Sequence, residues 1–210
     1  MNKIFRFPSG LRLAYKYSPA VRSVGIAVMT AVGSGNETAQ NNGISHFIEH
    51  MYFKGTKDKS SFEIVEYVDG IGAQINAFTS KQTTCFYTLS IDTEAENCLK
   101  ILSEILFEST FDKEEMEREK GVVLEEISMC EDDNSDVVLD MLAEGYFGNN
   151  PLGRTILGER ENVKNFSRND LIEYIGNNYC AESSVVSIVG HIEFDKAKEL
   201  VEKYFEGKFS

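Results

Sequence analysis

The chain has 210 residues, a formal net charge of −13 and a pI near 4.7, with 42% hydrophobic and 11% aromatic residues and no Trp. This is globular composition, far from the disordered class, long enough for a core without staples and sized for one large domain or two small ones. The acidic balance, with no cluster of Lys and Arg, excludes a phosphate-backbone partner; it serves solubility, and it would also favour basic partners or substrates.

In chain order, "IFRF", "LRLAYKYS" and "SVGIAVMTAV" read as strands rich in β-branched and apolar residues. "GSGNETAQNNG" is a turn-rich loop. A helix starts near Gly43, with Asn42 as its N-cap and Gly55 as its C′ residue. "SSFEIVEYVDGIG" is a short helix ending at glycine, and "AQINAFTS" and "QTTCFYTLSID" form a strand pair. Helices are predicted at about 94–109, 112–131 and 135–147, then a loop, "GNNPLGRTILGERENV". "SRNDLIEYIGNNY" is a helix, "SSVVSIVG" a buried strand and "EFDKAKELVEKYF" an amphipathic helix. The order predicts an α+β fold, a mostly antiparallel sheet with helices packed on one face. There is no internal repeat or low-complexity segment.

Cys85, Cys98, Cys130 and Cys180 form no C-x-x-C pair, which reads as free thiols in a reducing compartment. The first residues carry no long apolar h-region, and no apolar run reaches about 18 residues. The expectation is a cytoplasmic protein with no membrane partner.

The chemistry concentrates in "HFIEHMYFKGT", residues 46–56, which holds two of the chain's three histidines. A helix turns about 100° per residue, so with His46 at 0° His50 falls at about 40° and Glu49 at about 300°. Two imidazoles at i and i+4 can grip one ion, and the acid between them lies beside that ion, where a general base belongs. The plain alternative is two histidines that happen to be close. A catalytic zinc needs three protein ligands and one open position. His191, in "VGHIEF", reads as a turn residue rather than the third ligand. On the predicted helix at 112–131, Glu119 and Glu126 fall on the same face as Met116, Val123 and Ile127. Buried carboxylates are paired or bind metal. Here either both are salt-bridged to buried Arg or Lys, or at least one is a ligand.

"GISHFIEHMYFKGT", "NAFTSKQTT", "EREKGVVLEEI" and "PLGRTILG", in that order, resemble the pitrilysin/insulinase family of zinc metallopeptidases over nearly the whole chain, and its processing-peptidase branch in particular. H-x-x-E-H is the inverted zinc motif. The resemblance implies one Zn2+ per chain, His46 and His50 as its histidine ligands and Glu49 as general base. It implies Glu126 as third ligand and Glu119 as the glutamate supporting the site. "INAFTS" matches the edge strand on which a peptide substrate adds to the sheet, held by the backbone around Asn76, Ala77 and Phe78. Gln82 departs from the glutamate often found there. Family members have two related halves that close around the substrate, and this chain matches only the zinc-bearing half of that clamshell. A complementary second half, or a homodimer, is therefore the expected partner. A zinc endopeptidase is the leading reading. A non-catalytic peptide-binding subunit and a closed structural zinc site are the alternatives. "GSG" and "DGIGAQI" complete no nucleotide fingerprint.

Overall fold

A computed structural model describes residues 2–209. Six strands, β1 (Asn2–Arg6), β2 (Arg12–Tyr17), β3 (Ser23–Thr30), β4 (Gln74–Thr79), β5 (Thr84–Ile91) and β6 (Ser184–Gly190), form one sheet in the order β1-β2-β6-β3-β5-β4. Four of the five pairings are antiparallel and one, β2 with β6, is parallel. That is the mostly antiparallel sheet the sequence predicts. The long helical connection after β5 returns β6 to the middle of the sheet, between β2 and β3.

Strand alternation decides which face is covered. On β3, Val24, Ile26 and Val28 are buried, as are Val186 and Ile188 on β6 and Leu13 and Tyr15 on β2. Against this face pack α3 (Ala95–Glu108) and α8 (Phe194–Phe205), through Leu99, Leu102, Ile105, Leu200 and Phe205. The other face, with Phe78, Leu89 and Val189 between 44% and 48% exposed, carries no helix among the described residues. The helices thus lie on one face, as expected.

The remaining helices are α1 (Ile44–Tyr52), α2 (Ser61–Gly70), α4 (Lys113–Asp132), α5 (Asn134–Phe147), α6 (Arg160–Asn165) and α7 (Arg168–Asn178). Ser60 caps α2 with Glu63 in a reciprocal capping box. In α1, Phe47, Ile48 and Met51 are fully buried, each worth about 1.5–3 kcal/mol of transfer free energy. Packing rather than propensity therefore pins this nine-residue helix. It lies beside the edge strand β4 and against α4.

Three local expectations need correction. Asn42 does not cap α1. Gly43 occupies that position with φ 97°, and Asn42 donates instead to Glu37 Oε2 (2.9 Å) and Thr155 O (3.0 Å). Gly55 is not C′ either, because the helix ends at Tyr52 with Phe53 as its C-cap, and Gly55 forms a bridge to Ser60. The segment read as one loop after residue 147 contains a 3₁₀ turn, Pro151–Gly153, and α6. Its glycines and proline masked the short helical run.

Candidate metal centre

His46 and His50 stand one turn apart on α1 with their Nε2 atoms 3.2 Å from each other. Glu126, on α4, brings Oε2 to 3.7 Å from His46 Nε2 and 3.5 Å from His50 Nε2. These are the three residues among those described whose donor atoms converge within 4.8 Å in a potential metal-binding group. A tetrahedral zinc with bonds of about 2.0–2.1 Å sets neighbouring ligand atoms about 3.3–3.4 Å apart. The observed 3.2, 3.5 and 3.7 Å edges match one triangular face of that tetrahedron. Two imidazoles and one carboxylate are also a donor set of catalytic rather than closed structural sites. The residues fit the ion.

Burial, then the neighbouring His50, hold the His46 imidazole down to about 3, so it is neutral with a lone pair to give. His50 is oriented by its other nitrogen: Nδ1 lies 2.8 Å from Glu119 Oε1. A proton on Nδ1 leaves Nε2 free to bind metal. Lys54 Nζ sits 2.6 Å from Glu119 Oε2. Burial pushes the Glu119 carboxyl up, but the His50 and Lys54 contacts outweigh it and the net shift is downward. Glu119 is thus an ionised carboxylate, 4% exposed, spanning a histidine and a lysine.

The helical-face reading placed both glutamates toward the core. Glu119 is buried, but the Glu126 side chain is 40% exposed and Val122, on the same flank, 49%. The buried stripe of α4 is narrower than the sequence suggested, limited to Met116, Glu119, Val123 and Ile127. Glu126 stands at its rim, where a ligand open to solvent belongs. His191 takes no part; its Nδ1 pairs with Asp92 at 2.6 Å.

Glu49 is half-buried on α1, and burial raises its carboxyl pKa. Opposing that shift, the Thr79 hydroxyl donates to its Oε2, and His50 lies close enough to act by charge. Thr79 ends β4, so the acid between the histidines is tied directly to the edge strand. Asn76, Ala77 and Phe78 lie on that strand, which has one unpaired side among the described residues. Ala77 N–H donates to Asn76 Oδ1 at 2.8 Å.

Sequence reasoning missed Thr79, Lys54 and Glu37. Lys54, four residues after His50, carried a faint helical-spacing signal; Thr79 reaches α1 only through tertiary folding, and Glu37 through the turn of the loop before it.

The family profile described as insulinase (peptidase family M16) matches residues 12–160. The chain belongs to the insulinase family. This insulinase-family chain is 44% identical over 205 residues to the uncharacterized zinc protease YmxG of Bacillus subtilis, covering 98% of itself and 50% of that protein. It is 36% identical over 200 residues to the mitochondrial-processing peptidase subunit beta of Saccharomyces cerevisiae, covering 95% of itself and 43% of that subunit. Two solved structures superpose with a TM-score of 0.90. One is a protease from Helicobacter pylori, at 23% identity over 100% of this chain and 51% of that one. The other is a peptidase M16 inactive domain from Pseudomonas fluorescens, at 16% identity over 97% of this chain and 50% of that one. At such identities the likeness shows the fold alone, and because it extends to an inactive domain, the insulinase fold does not decide activity. The chain spans about half the length of the relatives it matches.

Proposed function

We propose that this chain is the zinc-bearing half of a metalloendopeptidase, with His46, His50 and Glu126 as ligands to one zinc ion. The observation that carries this reading is the near-tetrahedral spacing of those three donor atoms beside Glu49. When bound, zinc supplies a Lewis acid that lowers the pKa of water toward 7 and polarises a peptide carbonyl. The chain's own residues do the rest. Glu49 takes the proton of the attacking water and passes it to the departing amine. Thr79 fixes one Glu49 oxygen and leaves the other for that proton. Glu119 holds the His50 tautomer, and Lys54 keeps Glu119 ionised. An extended peptide would add to β4 along Asn76, Ala77 and Phe78, where main-chain pairing tolerates varied sequences.

A complementary half is the proposed partner. Two features support it: the relatives are twice as long, and α5 has no buried residue although it carries Val138, Leu139, Met141, Leu142 and Tyr146. Together with the uncovered sheet face, these exposed apolar side chains offer surface for a second half to cover.

The test is hydrolysis of a quenched fluorescent peptide by the zinc-loaded chain, joined where necessary by the second half. Glu49→Gln is expected to cut turnover by about 10²–10⁴-fold while leaving bound zinc unchanged. Turnover that survives the substitution refutes the assigned base.

A further inference from the structure

Glu37 is an acidic residue that is 2% exposed, in the loop that precedes α1. Its carboxylate turns back onto the start of α1. Oε2 accepts from Gly43 N (2.8 Å) and Asn42 Nδ2 (2.9 Å), and Oε1 accepts from Ser45 N (2.8 Å). Helix starts leave backbone N–H groups without partners, and α1 has no side-chain cap of its own. One carboxylate satisfies two of these donors in the favourable field of the helix N-terminus.

The same residue is held from behind. Arg154 Nη1 donates to Glu37 O at 2.9 Å, and Asn42 Nδ2 also donates to Thr155 O. The two backbones touch: a Cβ on Gly43 would meet Leu157 O at 2.5 Å, and one on Gly158 would meet Asn42 O at 2.2 Å. On the other side, Ser34 N and Gly35 N donate to Ser80 O and Lys81 O, in the turn that joins β4 to β5. The loop carrying Glu37 therefore ties together the helix of the histidines, the 154–158 segment and the edge strand.

We propose that Glu37 is a positioning residue for the metal centre, fixing the first turn of α1 so that His46 and His50 meet Glu126. This rests on the metal reading above. The contact at Ser45 N is one residue from His46, and donor atoms 3.2–3.7 Å apart leave little room for a helix that rolls or slides. The carboxylate suits the task because both oxygens must accept; an amide would turn its NH2 toward a backbone N–H.

The experiment measures the zinc dissociation constant by chelator competition, and the visible spectrum of the Co2+ form, for the 210-residue chain. Glu37→Gln and Glu37→Asp are compared with Leu200→Ala, a core truncation on α8 that lowers stability away from the site. With the fold checked by circular dichroism, Glu37→Gln is expected to bind zinc about 10–100-fold more weakly, the range typical of residues that orient ligands. Its Co2+ bands are expected to shift. Glu37→Asp, charged but one methylene shorter, falls between it and wild type. Leu200→Ala keeps wild-type affinity and spectrum. If Glu37→Gln does not fold, Glu37→Asp against Leu200→Ala decides: a loss confined to the aspartate supports the assignment. Wild-type affinity and spectrum in every folded Glu37 variant, or an equal loss in Leu200→Ala, overturns it while leaving the metal reading intact. A wild-type chain that binds no zinc overturns both.

Discussion

Glu119 illustrates how one side chain conditions another at the metal centre. It accepts from His50 Nδ1 on one oxygen and pairs with Lys54 on the other, so the proton on His50 is kept away from the nitrogen that faces Glu126. Removing such a contact frees the ring to turn and lowers its basicity. Glu119→Ala is expected to weaken zinc binding by about 10–100-fold, read by chelator competition. Glu119→Gln, which still accepts from His50, is expected to lose less. Equal affinities in all three proteins would mean that His50 needs no such support. Much of this site was legible residue by residue. Turning His46, Glu49 and His50 through 100° steps places them on one arc of α1, and the same count puts Glu119 on the buried face of α4. Illegible was whatever depends on contacts across the fold: Thr79 on Glu49, Lys54 on Glu119, and Glu126 at the rim rather than in the core. Helical periodicity fixes an angle around an axis; it does not tell where the neighbouring elements stop.

The elements themselves follow local signals unless a group outside the adjacent residues replaces them. The strands appear where alternation is strong, and α2 begins at Ser60 with Glu63 in its box. The start of α1 was misread because its cap comes from Glu37 rather than from the adjacent Asn42. A long-range tie closes the sheet at the other end. Asp92, just after β5, accepts both Arg22 Nε (2.7 Å) and Nη2 (2.8 Å) from the residue before β3, and His191 after β6. Hydrogen bonds from Arg22, then from His191, hold the Asp92 carboxyl well below the usual carboxylate range. A carboxyl with a depressed folded pKa contributes its stability in full above the unfolded value of about 3.9 and loses it as pH falls through the folded one. Asp92→Asn is therefore expected to lower the thermal midpoint at pH 7, with the gap to wild type closing as pH falls below about 4. A gap that stays constant down to pH 2 would show that the tie adds no pH-dependent stability.

At the scale of the whole molecule, the fold class was readable because the strand and helix segments separate cleanly along the chain. The uncovered sheet face and the exposed apolar α5 were not, since composition gives the amount of apolar surface and not its place. Those surfaces and the half-length match to relatives point outward to a second half, but the metal centre points inward. Every proposed ligand lies on α1 or α4 of this chain, and its supports lie there or close by: Glu119 on α4, Lys54 two residues after α1 and Glu37 in the loop before it. On the proposed reading the chain therefore binds zinc without a second half, even where hydrolysis needs both. The most direct measurement is the zinc content of the purified chain after dialysis, by inductively coupled plasma mass spectrometry, beside Glu126→Ala. One zinc per wild-type chain and a ratio near zero in the variant is the expected result. A zinc-free wild type, or a Glu126→Ala chain that keeps its full complement, would contradict the proposed centre.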